Sequence, residues 1–319
     1  MIPAAVLRIC GRPPALEKRP APVPGVGEVP ITVAAAPITP LDLLCASGTS
    51  YFGLPATPYV PGVQGVGHRD DGTPVWFATS AGMRPGDGSM AAAVSVPFVD
   101  VVPLPRGVPL PLVAALGLSA VAAHSALTRT GGLTPGETVV VLGAGGVVGQ
   151  AAIQLALLSG AGRVIAVSRS VAALERAIRL GAEEAVQLLP DDDPGTLADR
   201  LRVASGPADL VLDPVFGVPA AAALRVLRPG GRLVNLGGSA APTAPIDSAT
   251  LRSGSLRLLG YTNNALSVAQ RAESLAEVAA YAAAGRLTVA HQLVPFADVA
   301  EAWERQAAGD TNGRIVLVL

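Results

Sequence analysis

The stretch VVVLGAGGVVGQAAIQLALL, Val139 to Leu158, is twenty residues long, carries no charge and holds four glycines within seven positions. Twenty apolar residues are enough to cross a bilayer as a helix. A spanning helix, however, would set Gly143, Gly145, Gly146 and Gly149 mid-span with no basic anchors or aromatic belt at its ends. A second reading uses every part: TVVVLG as a strand, GAGGVVG as a tight turn, QAAIQLALL as the helix that follows. Glycines there let the backbone approach a phosphate, whose charge faces the free N–H groups at the helix N-terminus. The spacing is GxxGxxG (Gly143, Gly146, Gly149), with Gly145 completing a GxG, and a second strand follows the helix. That context makes the stretch a dinucleotide fingerprint and not a membrane span.

The pattern around it agrees. From Thr138 to about Tyr261 the apolar strand cores TVVVLG, RVIAVS, EAVQLL, ADLVLD, GRLVNLG and LRLLGY alternate with helical segments such as SVAALERAIRLG and PAAAALRVLRPGG. Continuous Val/Leu strands between amphipathic helices predict a parallel sheet covered on both faces. Residues 1 to about 110 have another texture, rich in Pro and Gly with short runs such as VPITVAAAPI, which predicts a small β-rich domain. LPLVAALGLSAVAAHSAL reads as a buried helix between the two, and DDDPG at Asp191 to Gly195 as a solvated loop capping the next helix. The tail adds two helices, LSVAQRAESLAEVAAYAAAGR and FADVAEAWERQAAGD, and a closing strand GRIVLVL.

A net charge of −1 over 319 residues offers no electrostatic footprint for nucleic acid or an anionic membrane. Cys10 and Cys45 form no CxxC or Cys/His cluster, so neither a disulfide framework nor a structural zinc site is indicated. MIPAAVLRICGRPP reads as a first strand rather than a signal peptide, and the expected compartment is the cytoplasm. Lys18 is the only lysine, which excludes a mechanism needing a catalytic lysine elsewhere.

The choice of dinucleotide is read at the end of the second strand, RVIAVSRS. NAD-binding chains usually place Asp or Glu there for the ribose 2′-OH. This chain has Ser168 and Arg169. A carboxylate would repel a 2′-phosphate, whereas Arg presents a fork of donors that suits one, so NADPH is favoured over NADH.

Together with these features, APITPLDLLCASGTSYFGLPATPYVPGVQGVG, GLTPGETVVVLGAGGVVGQAAIQLA, LRPGGRLVNLGG and the terminal FADVAEAWE…NGRIVLVL resemble, in order and over essentially the whole length, the medium-chain dehydrogenase/reductase superfamily. The resemblance is to its zinc-free, zeta-crystallin-like quinone oxidoreductase branch. It implies an α/β protein in which a GroES-like β-rich catalytic domain (1–115 and 262–319) surrounds a doubly wound Rossmann domain (116–261). It also implies cofactor contacts from Gly143, Gly145, Gly146, Val147, Val148, Ser168 and Arg169, with Leu236, Gly237 and Gly238 near the nicotinamide end. Zinc-dependent relatives carry a Cys and a Gly-His-Glu where this chain has Thr39, Val63 and Gln64. Val cannot ligate a metal and a catalytic zinc normally needs three protein ligands, so no metal is expected.

Without zinc to polarise an oxygen, the implied reaction is hydride transfer to an acceptor that is already electrophilic: a quinone or an activated alkene. Tyr51, after the Ser-Gly pair, reads either as proton donor or as pocket wall; Thr39 replaces the family's Asn and is the second catalytic candidate. An enoyl reductase acting on an enoyl thioester of fatty-acid, polyketide or other secondary metabolism is the alternative enzyme. A non-catalytic NADPH-binding sensor or structural protein is the alternative from another class. The resemblance further implies a homodimer paired through SLRLLGY, with a small-molecule substrate as partner and neither nucleic acid nor membrane.

Overall fold

The structure is a computed structural model describing residues 1–309, 311 and 313–319. Asp310, at the end of one expected helix, and Asn312, in the terminal motif, lie outside the described residues. The chain divides into two units, Met1–Leu118 with Val268–Leu319, and Ser119–Ser267.

The first unit opens with an antiparallel ribbon of β1 (Ile2–Val6) and β2 (Ala15–Arg19). There follow β3 (Glu28–Pro37), α1 (Pro40–Ser47), β4 (Gln64–His68), β5 (Pro74–Ala78), β6 (Ala93–Pro97) and β7 (Val101–Pro103). Helix α2 (Leu110–Ser125) then carries the chain towards the second unit. It is not continuous: Gly117 sits at φ 30°, ψ −131°, and a π-helical turn, Ala126–Thr130, extends its far end. The division between the units falls just past that break. Leu110–Thr130 is long and apolar enough to cross a membrane, with mean hydropathy 1.7, but 72% of its most apolar window is buried inside the protein.

The second unit alternates without exception: β8 (Thr138–Leu142), α3 (Val147–Leu158), β9 (Arg163–Ser168), α4 (Val171–Arg179), β10 (Glu184–Gln187), α5 (Pro194–Ser205), β11 (Ala208–Asp213), α6 (Gly217–Leu224), β12 (Leu227–Asn235), α7 (Ser248–Ser253) and β13 (Arg257–Gly260). All the pairings are parallel, in the order β10-β9-β8-β11-β12-β13. That is the doubly wound order 3-2-1-4-5-6, whose reversal between the first and fourth strands, β8 and β11, opens a crevice at the carboxyl ends. Val139, Val140, Val141, Leu142, Ile165, Val211 and Leu233 are fully buried, as strands covered on both faces require. Asp193 caps α5 through the N–H groups of Gly195 and Thr196, while Asp192 pairs with Arg200 at 2.6 Å instead of pointing into solvent. The helix expected over PAAAALRVLRPGG stops at Leu224, because from Leu227 the chain pairs with β11 as β12.

The tail returns to the first unit as α8 (Val268–Ala283), β14 (His291–Pro295), α9 (Val299–Ala308) and β15 (Arg314–Val318). Strand β15 runs antiparallel to β3 and parallel to β14, giving a sheet ordered β14-β15-β3-β4-β5-β7 with β6 also on β3. Trp76 and Phe77 are fully buried in it.

Candidate functional site

At the carboxyl end of β8 the chain turns through Gly143, at φ +64°, a backbone region that L side chains rarely adopt. Ala144 N–H donates to the Val167 carbonyl at 2.9 Å and Gly146 N–H to the Gly143 carbonyl at 3.1 Å, which pins the loop to the neighbouring strand and to itself. The buried Gln150 side chain braces it from below, donating to the Gly145 carbonyl at 2.8 Å. Gly146 is the N-cap of α3 and supplies no side chain to the cap. The first N–H groups of the helix, those of Val147 and Val148 among them, therefore face outward without intrahelical partners.

The glycines of this loop differ in what they are for. A Cβ on Gly149 would collide with the Gly143 carbonyl oxygen, so the fold itself demands glycine there. Gly146 has ordinary extended angles, φ −76° and ψ 164°, and the nearest atom to an added Cβ is 3.7 Å away. Nothing in the protein requires Gly146 to lack a side chain; the space it leaves is open for a ligand.

Ser168 ends β9 beside this loop, its Oγ lying 3.4 Å from where a Cβ on Gly145 would stand. Arg169 follows with its side chain exposed, and its carbonyl accepts from Gln187 Nε2 at 3.2 Å. At the end of β12, Leu236 N–H donates to the Asp213 carbonyl at 2.9 Å, and Gly237 lies so close to the Pro214 carbonyl that a Cβ would come within 2.7 Å. The glycine loop after β8, the end of β9 and the Leu236–Gly238 segment thus gather at the carboxyl edge of one sheet. Asp213, which ties the turn after β11 to the end of β12, was not singled out as a site residue from the sequence, whereas Asn235 belongs to the NLGG stretch that the resemblance sets near the nicotinamide end. The signal available was an Asp directly before Pro at the end of an apolar strand.

In the first unit, Thr39 caps α1 in a capping box with Asp42: its Oγ1 donates to Asp42 Oδ2 at 2.6 Å and accepts from Asp42 N–H at 3.2 Å. The other Asp42 oxygen accepts from Gly62 and Val63 N–H at 3.1 and 2.8 Å. Burial pushes the Asp42 carboxyl up, against the pull of its Thr39 and Val63 hydrogen bonds and of the Arg314 charge. Burial likewise pulls Arg314 down to about 10, with Asp42 opposing. Gln64 Oε1 accepts from Leu118 N–H at 2.6 Å and from Trp76 Nε1 at 3.2 Å. The three positions that match zinc ligands in relatives are therefore occupied with capping, loop anchoring and helix bracing. Among the described residues no group of three or more His, Cys, Asp or Glu could hold a metal ion. Tyr51 lies on the loop after α1, 76% exposed, its ring 4.2 Å from that of Phe52.

Comparison with known proteins gives these features a context. Residues 180–317 match the family model described as zinc-binding dehydrogenase. The quinone oxidoreductase of Thermus thermophilus, whose structure was also solved with NADPH, is 31% identical over 99% of this chain and 100% of its own, with a TM-score of 0.81. A mycobacterial quinone oxidoreductase shares the fold across both full lengths at a TM-score of 0.89 and 24% identity. A component of the phenolphthiocerol/phthiocerol polyketide synthase of Mycobacterium tuberculosis is 30% identical over 91% of this chain, which spans only 13% of that component's length. The chain belongs to the medium-chain dehydrogenase/reductase superfamily, in the company of its quinone oxidoreductases.

Proposed function

We propose that this oxidoreductase is metal-free and NADPH-dependent and reduces a quinone or an activated alkene. The observation that carries the dinucleotide part is Gly146: a glycine the fold does not need, at the uncapped N-terminus of α3, with open space where its side chain would be. The bound dinucleotide would supply the hydride. The Gly145–Val148 backbone would hold its pyrophosphate, Ser168 and Arg169 its 2′-phosphate, and Leu236–Gly238 its nicotinamide end. Ser168 and the exposed Arg169 suit a phosphate better than a ribose hydroxyl, which supports NADPH, as does the NADPH complex of the Thermus relative. The Tyr51 phenol is the proton donor in this reading. Thr39 remains the second catalytic candidate, with its hydroxyl proton donated to Asp42.

Reduction of an enoyl thioester is the second reading, favoured by the polyketide synthase relative. We carry the two-fold pairing of copies through β13 as part of the proposal. That strand ends the six-stranded sheet, and Leu258 on it is 41% exposed.

The test follows NADPH oxidation by EDTA-treated protein against an ortho-quinone, a para-quinone, a simple enone and a crotonyl thioester, with NADH in parallel. Turnover of a quinone or enone with NADPH is expected. Preference for the thioester selects the second reading, and cofactor binding without consumption by any acceptor overturns both.

A further inference from the structure

The turn after β11 holds a residue that should not be there on backbone grounds. Phe216 sits at φ 60°, ψ −159°, and Gly217 after it at φ 68°. For a side chain as large as Phe this is a strained conformation that persists only where the surroundings hold it. What holds it is Asp213, fully buried at the end of β11. Its Oδ1 accepts from Val215 and Phe216 N–H at 3.0 and 2.7 Å. Its Oδ2 accepts from Asn235 Nδ2 at 2.9 Å, directly across the parallel register between β11 and β12. The same Asn235 amide also donates to the Gly237 carbonyl at 2.7 Å and to the Asp213 carbonyl at 3.2 Å.

The clamp has neighbours on both sides. Towards β8, Val215 and Pro214 cover Gly143, so that a Cβ there would lie 2.7 Å from Val215 Cγ1 and 3.2 Å from Pro214 Cγ. Towards β13, the Pro214 carbonyl lies under Gly237 and accepts from Ser239 Oγ at 3.3 Å, and the Val215 carbonyl accepts from Ala240 N–H at 2.8 Å. Residues 214–216 are therefore a middle layer between the phosphate loop and the segment after β12. Simply joining β11 to α6 needs no strained aromatic residue and no buried carboxylate; fixing the height of two adjacent loops at the crevice does.

We propose that Asp213 and Asn235 are positioning residues for the nicotinamide half of the dinucleotide, holding residues 214–216 and 236–238 in register with the phosphate loop while leaving the adenosine half untouched. The proposal rests on the dinucleotide reading above.

Calorimetric titration of the full chain with NADPH, NADH, 2′,5′-ADP and ADP-ribose tests it on the wild type, Asn235→Ala and Asp213→Asn. The Asp213→Asn change keeps an acceptor for the two turn N–H groups but sets one amide NH₂ against another. Both variants are expected to bind whichever half-ligand the wild type binds within twofold, and the whole dinucleotide at least tenfold more weakly. Equal weakening of half and whole ligands, which a merely structural role would give, or no weakening at all, overturns the proposal. Should one variant fail to fold, the other carries the comparison, with Asn235→Ser beside it as the milder lesion. A wild type that binds none of the four ligands overturns the dinucleotide reading itself.

Discussion

Gln64 completes a helical turn to which it does not belong: its Oε1 takes the Leu118 N–H at 2.6 Å, and its Nε2 reaches the Ala114 carbonyl at 3.5 Å. Ala114 and Leu118 are four residues apart, the pair that would bond directly in an unbroken helix. The break at Gly117 leaves both groups open, and the amide of β4 fills the gap. A Cβ on Gly117 would collide with the Gln64 amide, so the break and the wedge require each other. Replacing Gln64 with Leu keeps the bulk but strands the Leu118 N–H, the Trp76 Nε1–H and the Ala114 carbonyl in a site only 1% exposed. The expected cost is about 3 kcal/mol, read by urea denaturation. Gln64→Glu should cost at least as much, since it sets an oxygen against the Ala114 carbonyl and buries a carboxylate. A Leu variant as stable as wild type would show that the amide merely fills space.

Gly146 and Gly149, within four residues of chain, are expected to separate binding from folding under the proposed function. Gly149→Ala drives a methyl into the Gly143 carbonyl and should lower the melting temperature or abolish soluble expression. Gly146→Ala meets nothing nearer than 3.7 Å and should fold with wild-type stability, yet lose at least tenfold in dinucleotide affinity. Equal affinity in a folded Gly146→Ala protein would mean that the open space beside the helix end is not where the phosphates lie.

Much of this was legible in the sequence because the signals were local. GAGGVVG between a Val-rich run and an Ala-rich helix announces its own turn, and the alternation from Thr138 onward gives a parallel sheet whose observed order is doubly wound. The strand HQLVP was not anticipated: its residues are half-buried or exposed, and it is a strand only because β15 pairs with it. The roles of Asp213, Asn235 and Gln64 depend on partners 20 or more positions away. A Gln inside PGVQGVG carries no local mark of a helix ladder elsewhere in the chain. Thr39 shows the converse. Its place in the family motif makes it a catalytic candidate, and what the motif does not show is that the residue three places on accepts its hydroxyl proton.

Tyr51 is a clean place to separate chemistry from packing, because its side chain is 76% exposed. Tyr51→Phe should leave stability within about 0.5 kcal/mol. As proton donor, its loss should lower kcat about 100-fold with little change in KM. A change confined to KM would make Tyr51 a wall of the acceptor site.

The Arg232–Glu137 pair predicts an acid-sensitive component of stability. Arg232 is 3% exposed and binds Glu137 with both terminal nitrogens, at 2.7 and 2.6 Å, while its Nε holds the Gly131 carbonyl at 2.6 Å. Burial alone would raise the Glu137 carboxyl, but the Arg232 bonds, the Thr134 N–H and the guanidinium charge together bring it below its usual value, with Arg228 at 3.6 Å as a further cation. A carboxyl depressed in the folded state stabilises above its unfolded value and loses that contribution as pH falls through the folded one. Glu137→Gln leaves a buried guanidinium uncompensated and should cost about 3 kcal/mol near pH 7. The difference between wild type and variant should shrink as pH drops below about 4.5. A pH-independent difference would mean that the carboxylate charge is not what is lost.

In the proposed function, cofactor choice turns on two adjacent residues at the end of β9. Arg169 is exposed, and among the described residues its guanidinium has no carboxylate partner, so its removal should not disturb the fold. Arg169→Ala is expected to weaken NADPH tenfold to thirtyfold, about the 1.5–2 kcal/mol of a charge-assisted hydrogen bond, and to leave NADH unchanged. Ser168→Asp should go further and reverse the preference, since a carboxylate repels the 2′-phosphate and accepts from the ribose hydroxyls. Raising the salt concentration should narrow the wild-type preference by screening an exposed contact of this kind. If Arg169→Ala weakens both cofactors alike, the arginine serves the shared part of the dinucleotide and NADPH selectivity must be sought elsewhere; if it weakens neither, the arginine is surface charge and the 2′-phosphate assignment falls with it.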